Sequence, residues 1–395
     1  MLVAGDPDSP RAFSGSARSL VRALATRGAL HAALDVTPWW ADPWAPRHRV
    51  TRRLAMTRAA GRLRWSALAH EAASRRAEQL ARAHPGFDAC LLYGTTFHPR
   101  GLGVPLFAYF DATLAQNARA QAWETAWLGP RALRGIWERQ RAVFADCVGL
   151  FPRSTWAAST LAEDYDVPGH KVTVAGAGWN HEAEPPLHGP YDRRTVLFLG
   201  RDFPRKGGPL LLQAFRRARA ALPGARLVIA GCTPPGLADQ PGVEVVGRLN
   251  KDSPQGLSRL LDLLAEASLF CMPSHYEPFG VAVVEALRSG VPCLVPERFA
   301  FPEMVPDGQV GRVFPAEDAE ALAATMTDLL ADPAGLQRMG AAARVHAQER
   351  WSWAGAAERI CARVEAELQG RDRGERFSRP APAAPAAAPG RGSLR

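Results

Sequence analysis

The chain of 395 residues lacks any long apolar run. No stretch approaches the roughly 18 consecutive apolar residues that a membrane-spanning helix requires. The amino terminus, Met1-Leu-Val-Ala-Gly-Asp6, also lacks the basic region and apolar core of a secretory signal peptide. The sequence therefore argues against an integral membrane protein and against secretion, and it predicts a cytoplasmic protein.

Cysteine is sparse as well, and its distribution excludes two classes of site. The six cysteines are scattered without a Cys-x-x-Cys pair, so neither a zinc site nor a disulfide framework is indicated. Cys271 and Cys293 lie in apolar runs and are predicted to be small buried hydrophobic residues. A reducing, cytosolic compartment fits this pattern.

Lysine is scarce, with three copies against 45 arginines. The formal net charge of +9 lies in residues 1–150, which carry 20 basic and 11 acidic residues, while the remainder has 28 of each. This surplus raises the alternative of a basic nucleic-acid-binding protein without enzymatic activity. No helix-turn-helix, zinc-finger or aromatic RNA-binding pattern accompanies the charge, so we expect no specific nucleic-acid partner.

Strand-like and helix-like segments alternate along the chain, which predicts an α/β protein with two parallel, doubly wound sheets. The strands expected in the first half are Leu2–Ala4, Ala89–Tyr93, Leu106–Phe110, Val148–Phe151 and Val172–Ala175. Those expected in the second half are Val196–Leu199, Arg226–Ala230, Val243–Val246, Leu269–Met272 and Cys293–Val295. The helices expected in the first half include Ser16–Arg27, Arg49–Ala83, Arg131–Asp146 and Trp156–Tyr165. The segment 176–190, rich in glycine, proline and histidine, is predicted to link the halves.

Two glutamates stand eight residues apart in His275-Tyr-Glu-Pro-Phe-Gly-Val-Ala-Val-Val-Glu285, between a predicted buried strand and a predicted helix. Glu277 precedes a proline, so its backbone is pushed toward extended conformations and its side chain is presented from a loop. Glu285 lies on a helix that is apolar nearly all round, which predicts a buried carboxylate in need of hydrogen-bond donors or a charge partner. Gly280, where this helix begins, offers no capping side chain, so the first helical amides are free to bind an anion.

A basic loop follows the predicted strand Val196–Leu199 and carries Arg201, Arg205 and Lys206 among glycines. Fixed cations and free amides in such a loop stabilise a leaving diphosphate as its charge develops. By itself the pattern is equally typical of a solvated basic turn. Ligands of parallel sheets bind at the carboxyl ends of the strands, so both motifs are predicted to face a cleft between the halves.

Together the two motifs resemble family 4 of the retaining glycosyltransferases, which have the GT-B fold of two Rossmann-like domains facing a central cleft. The resemblance rests on the Glu-Pro-Phe-Gly-x4-Glu-Ala string and the Gly-Arg…Lys-Gly loop, and it covers roughly residues 148–369. It implies an acceptor-side domain of residues 1–178, to which a last helix 352–369 crosses back, and a donor-binding domain of residues 191–351. The arginine-rich, then proline- and alanine-rich tail 370–395 has almost no hydrophobic pattern and is predicted to be disordered.

The resemblance also implies a role for each residue of the glutamate motif. Glu277 contacts the transferred sugar, and Glu285 holds the ribose hydroxyls of the nucleotide. The backbone amides that meet the sugar and the diphosphate are those around Phe279, Gly280 and Val281. The alternative is a purely structural helix in which Glu285 pairs with an arginine such as Arg288.

Arg201 and Lys206 are placed by the resemblance on the donor diphosphate. The implied reaction transfers a hexose with retention of anomeric configuration: the donor's own phosphate oxygen takes the acceptor proton, while Glu277 orients the sugar. No metal or other cofactor is required in this scheme. Contacts to the base are expected from the strand-end region that contains Arg248.

The first half departs from the family pattern at two places. Phe13-Ser-Gly-Ser-Ala17 stands where relatives carry a glycine-rich loop, with Gly15 as its single glycine; a plain helix amino terminus capped by Ser14 is an equal alternative. Asp111 follows a predicted strand, near the point where many relatives have a histidine that contacts the sugar. Its carboxylate either binds a sugar hydroxyl or the acceptor, or caps the next helix. His98 is a weaker candidate.

The charge of the first half is concentrated in the stretch 47–82, which holds ten arginines against Glu71 and Glu78. The tryptophans in or beside it are Trp39, Trp40, Trp44 and Trp65. A basic helical region with tryptophans suits peripheral docking on the anionic inner face of a membrane, where a lipid-linked acceptor would lie. The alternative, which we favour, is a solvated helix in an arginine-rich chain.

The sequence thus predicts a glycosyltransferase that moves a hexose from a nucleoside-diphosphate sugar to a glycan, lipid-linked or small-molecule acceptor. A GT-B relative that acts as a sugar-nucleotide epimerase or a phosphorylase is the alternative enzyme class. The Glu-Pro-Phe-Gly string argues against it.

Overall fold

The computed structural model describes residues 1–10, 12–38, 63–122, 125–181, 183–186, 188–237 and 239–372. These residues form two compact α/β units. The first comprises Met1–Ala175 together with the chain from Ala356, and the second comprises Gly176–Gly355. Each unit has its own parallel sheet, which confirms the predicted fold class of two parallel-sheet α/β domains.

Five strands form the sheet of the first unit. They are β1 (Leu2–Val3), β2 (Leu34–Asp35), β3 (Cys90–Tyr93), β4 (Leu106–Phe110) and β5 (Gly149–Pro152). Their order is β2-β1-β3-β4-β5, and every neighbouring pair is parallel. β3, β4 and β5 are buried along their whole length, as the near-continuous apolar runs of parallel strands predict.

Two details of this sheet differ from the sequence-based expectation. β2 was not predicted, because two residues are too few to give a recognisable apolar pattern. The predicted strand Val172–Ala175 is not a regular strand. It follows the edge of β5 through a single bridge between Leu150 and Val172, with Thr173 and Ala175 donating to the β5 carbonyls at 2.9 Å each.

Before Gly176, the helices with described bounds are α1 (Ser16–Thr26), α2 (Ala67–Ala83), α3 (Leu114–Arg119), α4 (Pro130–Asp146), α5 (Thr155–Ala158) and α6 (Leu161–Tyr165). Thus the single helix predicted over Trp156–Tyr165 is in fact two short ones. The helix predicted over Arg49–Ala83 is interrupted at Trp65 and Ser66, and its part before Leu63 lies outside the described residues. α2 starts at Ala67 because Ser66 caps it, its hydroxyl accepting from the Ala69 amide at 3.1 Å, an arrangement favoured at helix starts.

Six parallel strands form the sheet of the second unit. They are β6 (Thr195–Leu199), β7 (Arg226–Ala230), β8 (Val243–Gly247), β9 (Leu269–Cys271), β10 (Cys293–Pro296) and β11 (Gly311–Phe314). Their order is β11-β10-β9-β6-β7-β8, so the chain runs outward from β6 to β8 and then returns to the other side of β6 with β9. The reversal between β6 and β9 is the topological switch point at which ligands of such sheets bind. The last strand, β11, was not predicted.

The helices of the second unit are α7 (Gly208–Ala221), α8 (Pro254–Glu266), α9 (Val281–Arg288), α10 (Phe301–Met304), α11 (Ala319–Ala331) and α12 (Pro333–Arg350). One core of buried apolar side chains joins α7 and α11 to a face of the sheet, and it includes Phe198, Phe215, Ile229, Leu294 and Met326. Burial of this apolar surface holds the strands, and hence the loops at their ends, in fixed positions.

The segment 176–190, which was predicted to link the halves, belongs to the second unit. A Cβ on Gly178 would lie 2.4 Å from the Trp353 amide nitrogen, so the two backbones approach closely. The indole of Trp353 also donates to Asn180 Oδ1 at 2.9 Å. These contacts fix the residues that precede β6.

The last described helix, α13 (Trp353–Asp372), begins in the second unit, and its residues from Ala356 belong to the first. Arg359 donates to the Ala175 carbonyl at 2.7 Å, and Arg363 donates to the Val148 carbonyl at 3.0 Å. The helix extends through residues 370–372, which were predicted to begin the disordered tail. Residues 373–395 lie outside the described residues.

Only part of the arginine-rich stretch is described. Residues 47–62, together with Trp39, Trp40 and Trp44, lie outside the described residues, and α2 represents the remainder. α2 buries Ala73 and Ala77 and carries ion pairs between Glu71 and Arg75 and between Glu78 and Arg82. Such pairs are typical of a solvated helix face, and membrane contact stays a prediction.

None of the helices that the structure describes combines the length and the apolar character that crossing a bilayer requires. The six cysteines are all buried and free. The predicted burial of Cys271 and Cys293 is therefore confirmed.

Candidate donor site

The two motif loops lie side by side at the carboxyl ends of β6 and β9, the neighbouring strands at the switch point. The first loop, residues 200–207, leaves β6, and the second, residues 272–280, leaves β9. Gly207 has a φ of 75°, and a Cβ there would lie 1.8 Å from the Pro273 carbonyl oxygen. Glycine is therefore required both by the backbone conformation and by the close approach of the loops. The His275 amide donates to the Arg205 carbonyl at 3.0 Å, which joins them further.

Glu277 is bound by the basic loop. Lys206 Nζ donates to Glu277 Oε2, and the Gly280 amide donates to Oε1 at 3.1 Å. The side chains of Lys206 and Glu277 are 12% and 16% exposed, so this ion pair is largely removed from water but still accessible at its edge. The two motifs recognised in the sequence are thus joined by a direct contact.

Of the two arginines of the basic loop, Arg205 reaches the second loop. Its Nη1 donates to the Tyr276 carbonyl at 2.9 Å and lies 3.5 Å from Glu277 Oε2. Arg201 is exposed and forms no hydrogen bond or ion pair with any residue that the structure describes. It is a free cation beside the carboxyl end of β6, and its role on the diphosphate stays a prediction.

Glu285 lies on α9, and its side chain is only 3% exposed. Lys251 Nζ donates to both carboxylate oxygens, at 2.8 and 2.6 Å, and His181 Nε2 lies 3.1 Å from Oε1. Arg288, the arginine considered as a structural partner, pairs with Glu184 instead. The expectation of a buried carboxylate with charged or hydrogen-bonding partners is therefore met by a lysine and a histidine, and the Arg288 alternative is wrong.

The pKa of Glu285 is set by opposing effects. Burial alone would raise this pKa, because desolvation disfavours the charged form. The positive charge of Lys251 and the hydrogen bonds from His181 and Lys251 outweigh burial and lower the pKa to about 2. Glu285 is therefore an anion at neutral pH.

The pKa of Lys206 is lowered, as expected of a buried ammonium group. Burial lowers its pKa, and the neighbouring charges of Arg205 and Lys251 lower it further. An anionic ligand close to Lys206 would counteract both effects, because an opposite charge favours the protonated form. The loop is thus prepared for a ligand that brings negative charge.

Only some of the backbone amides at the start of α9 are free to bind an anion. Gly280 has a φ of 80°, precedes the helix and forms no side-chain cap, but its N–H is bound to Glu277. The amides of Phe279 and Val281 have no hydrogen-bond partner among the described residues, so they can bind an anion. The Phe279 ring is buried and packs edge-on against Trp351 with ring centroids 5.4 Å apart, which leaves only its backbone for a ligand.

The predicted loop of the first unit has a strained backbone. Phe13, Ser14 and Gly15 have φ angles of 50°, 57° and 85°, a left-handed run that is rare for residues other than glycine. Packing of the Phe13 ring on Tyr93, with centroids 4.8 Å apart, helps to hold it. The residue that precedes α1 is Gly15, without a side-chain cap, so the alternative of a helix capped by Ser14 is wrong. Strain of this kind is concentrated at functional sites.

Asp111 follows β4, and its carboxylate is half exposed. The next helix is capped by Thr113, with a reciprocal bond from Gln116, so the interpretation of Asp111 as the cap is wrong. Arg153 Nη1 lies 3.7 Å from Asp111 Oδ2. The guanidinium of Arg153 is buried and also donates to the Tyr93 hydroxyl. Asp111 is therefore held by a fixed cation at the carboxyl edge of the first sheet, with one side open to solvent.

Comparison with solved structures identifies the architecture. Sucrose-phosphate synthase from Thermosynechococcus elongatus matches with a TM-score of 0.66 and 18% identity, over 94% of this chain and 98% of that one. HepE from Anabaena, in complex with UDP and glucose, matches with a TM-score of 0.60 and 14% identity, over 92% of this chain and 99% of that one. The fold is GT-B.

Sequence comparison finds a family model whose match lies within the second unit, and relatives whose matches cover more of the chain. Residues 181–346 match the model of the family glycosyl transferases group 1. MMP alpha-(1->4)-mannosyltransferase of Mycolicibacterium hassiacum is 29% identical over 67% of this chain and 66% of its own length. D-inositol 3-phosphate glycosyltransferase of Streptomyces avermitilis is 31% identical over 55% of this chain and 51% of its own length. The matched segments thus span about two thirds of the length of the first relative and about half of the length of the second.

Two residues of this candidate site, Lys251 and His181, were not predicted from the sequence. Lys251 comes from the loop after β8, three residues beyond Arg248, the residue that was predicted from that loop. Arg248 is exposed and forms no hydrogen bond or ion pair with any other residue that the structure describes. A signal for Lys251 was present, because it is one of only three lysines in the chain. His181 gave no signal, since it lies in a segment that was interpreted as a linker.

No group of three or more histidine, cysteine, aspartate or glutamate side chains able to hold a metal is present among the described residues. Buried His98, the weaker candidate of the first unit, has its Nε2 2.9 Å from Asp146 Oδ2. The independence of the reaction from metal stays a prediction.

Proposed function

We propose that the protein is a retaining glycosyltransferase of family 4, which moves a hexose from a nucleoside-diphosphate sugar to a glycan, lipid-linked or small-molecule acceptor. The observation that carries the proposal is the pair of lysine–glutamate contacts at the switch point of the second sheet. Lys206 binds Glu277 and Lys251 binds Glu285, so two anions and two cations are held where a sugar nucleotide would need both.

Each of these groups suits one part of a sugar nucleotide. Glu285 is ionised at neutral pH and can accept hydrogen bonds from the ribose hydroxyls. Lys206 and the free amides of Phe279 and Val281 suit the diphosphate. Glu277, at the accessible end of its ion pair, suits the hydroxyls of the transferred sugar. Arg201, exposed and unpaired among the described residues, is a further cation for the diphosphate.

The chemistry of the proposed reaction is electrostatic. The bond between the sugar C1 and the diphosphate oxygen breaks, and its electron pair leaves with the diphosphate. The acceptor hydroxyl oxygen bonds to C1 on the same face, and its proton passes to a phosphate oxygen of the leaving group. Lys206 stabilises the charge that develops on this group, and cations fixed in advance lower such a barrier because they need no reorganisation.

The comparisons support sugar transfer over the other enzyme classes. The family model is that of glycosyl transferases, and the relatives named above are a mannosyltransferase and a glycosyltransferase. Among the solved structures, the HepE complex contains UDP and glucose. No observation favours an epimerase, a phosphorylase or a nucleic-acid-binding protein. Asp111, held by Arg153 in the first unit, is proposed to bind the sugar or the acceptor.

The first test is a thermal-shift panel of UDP, GDP, ADP and CMP and their common sugars, on wild type and Glu285→Ala. We expect one diphosphate to raise the melting temperature selectively, and Glu285→Ala to abolish this shift. Lys206→Ala is expected to remain folded and to lower transfer by a factor of about 100 or more. Absence of a shift with every nucleotide in the wild type would refute the donor site.

Product analysis tests the stereochemistry and the metal independence. We expect the transferred hexose to keep the anomeric configuration of the donor, as observed by NMR of early product. The rate should be unchanged by EDTA. An inverted product, or activity that returns only with an added divalent cation, would contradict the proposed mechanism while leaving the donor assignment intact.

A further inference from the structure

The carboxylate of Glu285 has almost no accepting capacity left. A carboxylate offers about four acceptor positions, two on each oxygen. Oε1 is bound by both Lys251 and His181, and Oε2 is bound by Lys251. One position on Oε2 therefore remains. A ribose brings two neighbouring hydroxyls, so at least one of the existing contacts must be given up before both can bind.

Lys251 is the partner that can leave. Its side chain is 29% exposed, whereas that of His181 is 8% exposed. His181 is further held by Trp179, whose ring packs edge-on against it with centroids 4.9 Å apart. Lys251 extends from the loop that follows the edge strand β8, and its flexible stem allows its ammonium group to move.

A lysine released from a buried carboxylate needs another anion. Glu285, from which Lys251 is released, is the fifth residue of α9, about 6 Å along the helix from Val281. Glu277, in the loop before α9, is bound by Lys206 of the basic loop. The released ammonium therefore starts close to the basic loop, and the charge of Lys251 already lowers the pKa of Lys206. In the proposed function, the diphosphate binds at this loop. It is therefore the nearest new anion that a nucleotide brings with it.

We propose that Lys251 is a donor-specificity residue that exchanges partners: it binds Glu285 in the free protein and moves to the diphosphate when the ribose hydroxyls take its place. This inference rests on the proposed function. It gives the site a physical means of rejecting ligands without a diphosphate. A nucleoside must displace Lys251 from Glu285 without offering the lysine a new anion. A nucleoside diphosphate supplies both new partners at once: ribose hydroxyls for Glu285 and phosphate oxygens for Lys251.

The test is a comparison of ligands with and without the diphosphate. Dissociation constants for UDP, uridine, GDP and guanosine are measured by calorimetry on wild type, Lys251→Met and Lys251→Gln. For the base that the wild type prefers, we expect Lys251→Met to weaken diphosphate binding by about tenfold or more, and to leave nucleoside binding unchanged or stronger. Lys251→Gln, which keeps a hydrogen-bond donor but no charge, should behave in the same way.

The control is Arg217→Met. Arg217 also lies in the second unit, is exposed and pairs with Glu320, so this variant removes one positive charge away from the site. It should change neither affinity, and so excludes a general effect of net charge. Equal losses for nucleoside and diphosphate would show that Lys251 only holds Glu285 in place, and would overturn the exchange while leaving the proposed function standing. Unchanged diphosphate binding in both lysine variants would overturn it as well. Failure of the wild type to bind these four ligands and every nucleotide of the thermal-shift panel would refute the proposed function, and the exchange with it.

Discussion

At the scale of single residues, the two motif glutamates differ in the cost of their burial. Glu277 keeps 16% of its side chain exposed, and Glu285 keeps 3%. A buried carboxylate is tolerated only when partners compensate its lost hydration. Lys251 and His181 supply this compensation, so stability and function are coupled at Glu285 more tightly than at Glu277.

The stability of the protein should therefore depend on pH through Glu285. Its folded-state pKa is lowered to about 2, so its contribution is present above the pKa of the unfolded chain and is lost as pH falls toward the folded value. We expect this contribution to decrease by about 2 kcal/mol between about pH 6 and about pH 3. The measurement is the difference in unfolding free energy between wild type and Glu285→Gln, from urea titrations across this range.

Glu320→Gln serves as the control for the pH experiment, because Glu320 is an exposed glutamate of the same unit. The difference in unfolding free energy between Glu320→Gln and wild type should be nearly independent of pH over the same range. A flat difference for Glu285→Gln as well would mean that Lys251 and His181 do not stabilise the ionised carboxylate.

At the scale of the elements, the site depends on two loops that meet because their strands are neighbours. β6 and β9 are separated along the chain by α7, β7, β8 and α8, yet they pair directly, with Leu197 opposite Phe270. The Gly207 backbone lies against Pro273. A change at this contact should therefore disturb the whole site.

Gly207→Ala and Gly236→Ala form a matched pair for this contact. Their φ angles are 75° and 73°, but a Cβ at Gly236 meets nothing within 4 Å, whereas at Gly207 it meets the Pro273 carbonyl. Gly236→Ala should cost roughly 1 kcal/mol from backbone strain alone. Gly207→Ala should cost about 3 kcal/mol or more and should lower nucleotide affinity. Chemical denaturation measures both costs, and similar values for the two variants would contradict the close approach.

Long elements with a strong local pattern were predicted well from the sequence, and very short elements were not. Long periodic helices such as α1 and α4 were placed within one residue at each end, because helical periodicity is a local property. The two-residue β2 left no pattern. The cap of α3 shows a signal that was present but not used: Thr113-Leu-Ala-Gln116 is a capping-box sequence, and it indicated Thr113 rather than Asp111.

At the scale of the whole molecule, the chain is divided unevenly between its units. The second unit is one continuous segment, Gly176–Gly355, whereas the first is assembled from two segments of the chain. All four groups of the two lysine–glutamate pairs lie in the continuous segment, together with their sheet and its core. The net positive charge, by contrast, belongs to residues 1–150.

A fragment of residues 176–355 should therefore fold by itself and bind the nucleoside diphosphate. We expect a cooperative thermal transition and a dissociation constant within about threefold of that of the full chain. The matching fragment 1–175 should be less stable than the first unit in the whole chain, because it lacks the α13 contacts of Arg359 and Arg363. A fragment 176–355 that is folded but does not bind would place an essential nucleotide contact outside the second unit.

The alternation of strands and helices, the two motifs and the burial of Glu285 could be predicted from the sequence, because they depend on local periodicity and on residues that are close along the chain. Which cation binds which glutamate could be seen only in the folded protein. Lys251 and His181 lie 34 and 104 positions from Glu285, and they reach it because strand order and the packing of 176–180 bring them there. Such pairings result from the assembly of the sheet, and no local pattern encodes them.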